Sequence, residues 1–307
     1  MSISHPSTGP AAAVIGLGSM GLGMAKSLLK AGFTVRGCDV SQAAKDRFSQ
    51  AGGQVADTPA EAAKDVGVVL CVVINSTQTD GVLFGKNGAF QAMRPQSVFV
   101  SSATMAPSEA RRLAGRLAER NIHYLDAPIS GGAVKAADGA LTVMASGSRA
   151  AFEKAEGLLA AIAAKTYRLG DAPGIGASVK MINQHLAGIH IAAACEAITL
   201  ASKLGLDLPT VYEVITASAG NSWMFENRVP HILSGDYTPL SSVEIFVKDL
   251  GILQDMARME RFPAPLAAAA LQMYLATSGA GMGGDDDASV ARTYAALSGA
   301  SLPEHRS

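Results

Sequence analysis

The chain has 307 residues, a net charge of −1, 49% hydrophobic residues and 17% charged residues. The length predicts about two domains, and the apolar fraction is sufficient for a sizeable core. The near-neutral charge argues against nucleic acid or an anionic membrane as a partner. Cys38, Cys71 and Cys195 lie in apolar segments without metal-site or disulfide spacing. We therefore expect reduced thiols and no bound metal. A cytoplasmic protein is expected by default, because neither a signal peptide nor a membrane span is predicted.

The first predicted unit is a strand, a glycine-rich turn and a helix between Ala12 and Gly32. Its G-x-G-x-x-G spacing is typical of turns that wrap a dinucleotide pyrophosphate, where backbone N–H groups at the helix start face the anion. The predicted cofactor contacts are Gly16, Leu17, Gly18, Ser19, Met20 and Gly21. Because a plain strand–turn–helix can show the same pattern, the turn alone does not decide the function.

A second signal is Asp39, which ends the next predicted strand, 33–38, and lies 18 residues after Gly21. An acidic residue about 20 positions after the glycines accepts hydrogen bonds from the adenosine ribose and repels a 2′-phosphate. Val40 follows, where an arginine would favour that phosphate. The sequence therefore predicts NAD as the cofactor. The alternative is that Asp39 starts a turn or caps a helix beginning near Ser41.

Apolar runs then recur at the spacing of alternating strands and helices. The predicted strands are 68–74, 98–100, 123–125, 141–144 and 166–169, and the clearest helices are 107–120 and 149–163. This alternation predicts an α/β fold with a Rossmann-type, doubly wound and mainly parallel sheet. We assign residues 12–173 to this NAD-binding domain.

Residues 174–307 have helical periodicity and almost no strand signal, which predicts an all-α second domain for substrate binding and oligomerisation. The predicted helices are 177–204, 208–217, 243–261, 265–278 and 285–297, and the first is a long interdomain helix. Its apolar stretch at 189–200 is broken by His190 and Glu196, so we expect no membrane span. The long apolar helices predict a homodimer or homotetramer.

Lys180, near the start of the interdomain helix, is the candidate acid–base group. Val179, Met181 and Ile182 give it a partly apolar setting, which favours the neutral amine that proton transfer needs. Asn183 and Gln184 follow at i+3 and i+4 on the same helix face and are candidate substrate ligands. The alternative is an ordinary surface lysine at a helix start.

Three loops are further candidates, each with a structural alternative. Ser130, Gly131 and Gly132 follow a strand and could cradle a carboxylate, or form a simple turn. Thr104 follows another strand and could approach the nicotinamide, or belong to a helix start before Pro107. The loop 218–225 holds the only tryptophan and could set substrate specificity, or connect two helices with Trp223 in the core.

Four segments in order resemble the β-hydroxyacid dehydrogenase family, which includes 3-hydroxyisobutyrate dehydrogenases and tartronate semialdehyde reductases. They are GLGSMGLGMA, DAPISGG with the following GALTVMASG, GASVKMINQ, and VKDLGILQDMA. The resemblance covers Ala12 to about Leu297 and implies NAD-dependent oxidation of a small hydroxy acid. It implies that Lys180 is the acid–base residue.

The resemblance also implies roles for the remaining site residues. Ser130, Gly131, Gly132, Asn183 and Gln184 correspond to substrate-binding positions, and Ile74, Asn75, Thr104 and Lys248 to positions beside the cofactor. This chain departs from the common family pattern in having Ala103-Thr104, Asn183-Gln184 and Ile74-Asn75. The first two departures are expected to alter the shape of the substrate pocket.

Within the family, the chain is most similar to the branch that acts on sugar acids. This similarity implies oxidation of L-threonate at C2 to 2-dehydro-L-erythronate. The alternative substrates are 3-hydroxyisobutyrate and tartronate semialdehyde. A different class is a non-catalytic NAD-binding scaffold, whose sign would be loss of the lysine. Imine reductases share the fold but usually carry another residue where this chain has Lys180.

Overall fold

The computed structural model describes residues 9–305 and divides the chain into two compact units, one ending at Lys180 and one beginning at Met181. The strands of the first unit are β1 (Ala11–Ile15), β2 (Thr34–Cys38), β3 (Gln54–Val55), β4 (Val68–Cys71), β5 (Val98–Ser101), β6 (His123–Asp126), β7 (Ile129–Ser130), β8 (Leu141–Ser146) and β9 (Ala163–Gly170). Its helices are α1 (Ser19–Lys30), α2 (Gln42–Gln50), α3 (Pro59–Ala63), α4 (Ser76–Phe84), α5 (Pro107–Ala118), α6 (Gly132–Ala137) and α7 (Arg149–Ile162). The helix α8 (Ile175–Lys203) begins in this unit and continues into the second.

The nine strands form one sheet in the order β3-β2-β1-β4-β5-β6-β8-β7, with β9 beside β8. All pairs are parallel except those of β8 with β6 and β7. Ile15, the last residue of β1, is in register with Cys38 and Cys71, which end β2 and β4. The predicted mainly parallel α/β sheet is therefore confirmed, and the loops after β1, β2, β4 and β5 leave the same edge.

The central strands are buried because successive side chains enter two different cores. Val14 of β1 packs in one hydrophobic cluster, together with Leu70 and Val100. Its neighbour Ile15 packs in the other cluster. Strands covered by helices on both faces are continuously apolar, which explains why these strands appear in the sequence as unbroken apolar runs.

The second unit is helical. Beyond α8 it contains α9 (Leu208–Thr216), α10 (Trp223–Ser234), α11 (Val243–Met259), α12 (Pro265–Thr277) and α13 (Val290–Ser298). Phe246 and Tyr274 stack at 5.2 Å in its core. A Cβ on Gly188 would lie only 3.0 Å from the Phe246 ring, so α8 lies close to α11 at this glycine. The predicted all-helical second half is confirmed.

The 29-residue α8 is long and apolar enough, by length and composition alone, to cross a membrane. The apolar stretch 189–200 is only a part of this helix. Half of the most apolar window of α8 is buried inside the structure.

Two segments of the second unit differ from the sequence prediction. The loop at 218–225 is shorter than expected, because Ser222 caps α10 by accepting a hydrogen bond from the Phe225 N–H at 3.0 Å. Trp223 is 56% exposed, so it does not lie in the core. The helix predicted from residue 285 begins as a short 3₁₀ helix, Asp287–Ser289, and becomes the α-helix α13 at Val290. Asp286 caps the 3₁₀ helix by accepting a hydrogen bond from the Ala288 N–H, and it also accepts one from the distant Leu240 N–H.

Candidate active site

The glycine-rich turn has the geometry that a bound pyrophosphate requires. Gly16 has φ +92°, and a Cβ there would lie 2.4 Å from the Val72 carbonyl oxygen. A Cβ on Gly21 would lie 1.8 Å from the Gly16 carbonyl oxygen, so helix α1 packs directly on the turn. Gly18, the N-cap of α1, has no atom within 4 Å of its Cβ position. The first two glycines allow the close turn, and Gly18 leaves open space beside the helix start.

Asp39 lies against this turn. Its Oδ2 accepts a hydrogen bond from the Leu17 N–H at 2.6 Å, and its Oδ1 accepts one from the Ser41 N–H at 2.8 Å. Asp39 does not cap α2, because Ser41 is the N-cap and accepts a hydrogen bond from the Ala44 N–H. Asp39 does start a turn, because a side-chain bond to the N–H two residues further on is an Asx turn. A carboxylate accepts about four hydrogen bonds. Asp39 can therefore hold the turn and still accept bonds from ribose hydroxyls.

The loop Ser130–Gly132 joins β7 to α6. Gly131 has φ +137° and Gly132 has φ +78°, conformations that side chains rarely adopt. Helix α1 packs closely on α6, because a Cβ on Gly23 would lie 2.8 Å from the Ala137 nitrogen. Ser27 Oγ also donates to the Ala136 carbonyl oxygen at 2.9 Å. Contacts between α1 and α6 thus link the glycine-rich turn to the predicted substrate loop.

Lys180 lies beside that loop. It is 9% exposed, and its Nζ donates a hydrogen bond to the Ile129 carbonyl oxygen at 2.9 Å. Ile129 immediately precedes Ser130, so the structure brings the predicted acid–base lysine to the predicted carboxylate-binding segment. The alternative of an ordinary surface lysine is wrong for this buried amine.

The other predicted cofactor residues of the first unit follow strands of the parallel sheet. Ile74 and Asn75 come after β4, and Thr104 comes after β5. Asn75 caps α4 by accepting a hydrogen bond from the Gln78 N–H at 2.8 Å, while Ile74 is 51% exposed. The N-cap of α5 is Ala106, so Thr104 does not cap that helix. Their contacts with the cofactor stay predictions.

In the second unit, four side chains form a continuous polar chain. Asn183 Nδ2 donates to Gln184 Oε1 at 3.0 Å, and Gln184 Nε2 donates to Asp249 Oδ2 at 2.5 Å. Lys248 Nζ lies 2.6 Å from Asp249 Oδ1. Asp249 is fully buried, so its charge needs these two partners. The Asp249 carboxylate therefore joins Gln184 to Lys248, and Asn183 is linked to it through Gln184.

Sequence reasoning missed the importance of two carboxylates, Asp249 and Asp126. Both lie in segments quoted for the family resemblance, which was the available signal. Asp126 is 1% exposed, and burial raises its pKa to about 6 although three hydrogen bonds lower it. Within residues 9–305, no group of three His, Cys, Asp or Glu side chains is arranged to hold a metal ion.

Two known protein families match the chain, one in each half. The family described as the NAD binding domain of 6-phosphogluconate dehydrogenase matches residues 11–170. A second, described as NAD-binding of NADP-dependent 3-hydroxyisobutyrate dehydrogenase, matches residues 174–294.

Several curated relatives are similar over nearly the whole chain. A protein named L-threonate dehydrogenase from Cupriavidus necator is 56% identical, covering 92% of this chain and 95% of its own. One of the same name from Escherichia coli K12 is 47% identical, covering 96% and 97%.

A solved structure from Salmonella typhimurium, described as 3-hydroxyisobutyrate dehydrogenase, is 46% identical with a TM-score of 0.89, covering 92% and 99%. These matches extend over both the glycine-rich turn and the helix that carries Lys180. The chain belongs to the 3-hydroxyisobutyrate dehydrogenase-like family of NAD-binding hydroxyacid dehydrogenases.

Proposed function

We propose that this protein oxidises L-threonate at C2 to 2-dehydro-L-erythronate, with NAD as the hydride acceptor and Lys180 as the acid–base residue. The observation that carries the chemistry is the buried Lys180 amine, 2.9 Å from the Ile129 carbonyl oxygen and next to Ser130. The observation that favours the substrate is the similarity to the relatives named L-threonate dehydrogenase, at 47–56% identity.

The residues fit the cofactor. The space beside Gly18, the amide groups at the start of α1 and the Asp39 carboxylate suit a pyrophosphate and an adenosine ribose with a free 2′-hydroxyl. Ile74, Asn75, Thr104 and Lys248 are proposed to contact the cofactor further along its length. The chemistry supplied by bound NAD is acceptance of the hydride from the hydroxyl-bearing carbon.

Each protein group then has a defined task. Ser130 and the N–H groups of Gly131 and Gly132 bind the substrate carboxylate, and Asn183 and Gln184 hold its hydroxyl groups. Lys180, as the neutral amine, takes the proton of the C2 hydroxyl, and its ammonium form returns that proton in the reverse reaction. Proton transfer by a positioned side chain contributes roughly 10²–10⁴-fold to the rate.

The test is a substrate screen of the purified protein with NAD, monitored by absorbance of the reduced cofactor. L-threonate should give the highest kcat/KM among L-threonate, D-threonate, 3-hydroxyisobutyrate and tartronate semialdehyde, the last assayed with NADH in the direction of reduction. Lys180→Ala should lower kcat by 10²–10⁴-fold with little change in NAD affinity. The matched control is Lys154→Ala, which removes an exposed lysine of the same unit. Turnover near the wild-type value in Lys180→Ala would reject the acid–base assignment.

A second candidate substrate is 3-hydroxyisobutyrate. It is favoured by the similar Salmonella typhimurium structure, which is described as a 3-hydroxyisobutyrate dehydrogenase. A kcat/KM for 3-hydroxyisobutyrate above that for L-threonate would select this candidate. The assignment of Lys180 is the same for both substrates, because each loses a hydroxyl proton.

We further propose that the protein is a homodimer or homotetramer in the cytoplasm and acts in sugar-acid metabolism. Ile182, Leu186 and Leu200 of α8 are each more than half exposed, which leaves an apolar surface on this helix for a second copy. Three free, buried cysteines suit a reducing compartment. Light scattering of the purified protein tests the oligomeric state.

A further inference from the structure

The start of α8 is bound by two side chains from the sheet. Asp126 and Ser146 face each other where β6 and β8 pair, and they are 1% and 0% exposed. Asp126 Oδ2 accepts hydrogen bonds from the Gly174 N–H at 2.9 Å and the Ala177 N–H at 2.8 Å. Ser146 Oγ accepts one from the Gly176 N–H at 2.9 Å. Helix starts usually obtain such partners from a nearby capping residue. Here the partners lie about 30 to 50 positions away in sequence.

Gly176 shows how closely the helix approaches the sheet. A Cβ at this position would lie 2.4 Å from the Met144 carbonyl oxygen and 3.0 Å from the Asp126 carbonyl oxygen. A glycine inside a helix is less favourable than alanine, so a specific reason for it is expected. The reason here is that no methyl group fits between the first turn of α8 and the strand ends.

The same contacts extend to Lys180. Asp126 accepts a hydrogen bond from Ala177, and Ile129, three residues after Asp126, accepts one from Lys180, three residues after Ala177. The strand segment 126–129 and the helix segment 177–180 are therefore joined at both ends, by bonds of 2.8 Å and 2.9 Å. Because one helical turn separates Ala177 from Lys180, a shift at Ala177 moves the Lys180 amine with it.

We propose that Asp126 is a positioning residue that, together with Ser146, fixes the first turn of α8 and thereby the Lys180 amine. This inference rests on the proposed acid–base role of Lys180. Misplacement of a reacting group by about 1 Å can lower a rate by about 100-fold. Loss of the Asp126 carboxylate therefore acts on turnover through Lys180, while the glycine-rich turn and Asp39 keep their cofactor contacts.

Three variants test this role: Asp126→Ala, Ser146→Ala and Gly176→Ala. We expect each to lower kcat by about 10- to 100-fold with KM for NAD within threefold of the wild type. Asp126→Asn keeps an oxygen that can accept the same hydrogen bonds, so it should restore part of the loss. The control is Gly115→Ala in α5, where a Cβ would meet open space and kcat should not change. Wild-type kcat in all three variants would overturn the proposal.

Two further measurements separate positioning from a general loss of structure. In a double-mutant cycle, Asp126→Ala should cause no further loss of kcat once Lys180 is alanine, whereas multiplying losses would overturn the proposal. Amide hydrogen exchange at Ala177 should become faster in Asp126→Ala, and unchanged exchange would also overturn it. If Lys180→Ala alone keeps wild-type turnover, the proposed function fails, while the exchange measurement still decides whether Asp126 holds the helix start.

Discussion

Replacing Asp39 by Asn should shift the cofactor preference of this enzyme from NAD towards NADP. The carboxylate is held between the Leu17 N–H at 2.6 Å and the Ser41 N–H at 2.8 Å, at the edge of the glycine-rich turn. An asparagine has a single acceptor oxygen, so it satisfies only one of these two donors. Loss of a hydrogen bond to a charged group costs about 1.5 kcal/mol at a partly exposed site. This loss should weaken the binding of NAD and of NADP by about tenfold.

The preference between the two cofactors changes for a different reason. A charged acceptor binds the ribose hydroxyl of NAD about 1 kcal/mol better than a neutral one. The same charge repels the 2′-phosphate of NADP by at least about 1 kcal/mol for two charges 4 Å apart. Removing the charge should therefore change the ratio of kcat/KM for NAD and NADP by about 2 kcal/mol, or about 30-fold.

The assay measures kcat/KM for NAD and for NADP with saturating hydroxy acid. Asp46→Asn is the matched control, because it removes the same charge from the exposed surface of α2. Its ratio should equal that of the wild type. If the ratio for Asp39→Asn lay within threefold of the wild-type ratio, the ribose assignment of Asp39 would be refuted.

Four other variants test the packing and the buried charges of the protein. Arg228→Met should lower the free energy of unfolding by about 3–5 kcal/mol, because it leaves Asp287, 0% exposed and 2.5 Å from the guanidinium, buried without its partner. Arg258→Met, at an 80% exposed ion pair, should change it by less than about 1 kcal/mol in the same urea titration. Gly23→Ala should lower the free energy of unfolding by about 1–2 kcal/mol and raise KM for the substrate, because the added methyl group clashes with α6. An unchanged free energy of unfolding would contradict this contact. Burial raises the pKa of Asp126 to about 6, so this carboxyl stays protonated to a higher pH in the folded state than in the unfolded state. The free energy of unfolding should therefore fall as the pH rises from about 4 to 6. Asp126→Asn should remove up to about 3 kcal/mol of this pH-dependent loss of unfolding free energy. The same pH dependence in the wild type and in Asp126→Asn would contradict the raised pKa of Asp126.

Local sequence patterns were sufficient for much of the fold. The unbroken apolar run beginning at Val68 predicted a strand buried on both faces, and β4 is such a strand. Pro107 and Pro265 marked helix starts that the structure reproduces in α5 and α12. The last helix is an exception, because its first residues, Asp287–Ser289, form a 3₁₀ helix rather than the predicted α-helix. Asp286 before it also bonds to the distant Leu240 N–H, and helix propensity does not include such long-range bonds.

The sequence by itself determined the glycine-rich turn, the position of Asp39 and the change from α/β to all-helical structure. Each of these depends on spacing within about 20 residues, which local geometry translates directly into structure. Only the tertiary structure decided the partners of the chemical groups. Lys180 donates a hydrogen bond to the Ile129 carbonyl, 51 residues away in sequence, and Gln184 donates one to Asp249, 65 residues away. Such pairs are set by strand register and helix packing, which no local pattern specifies.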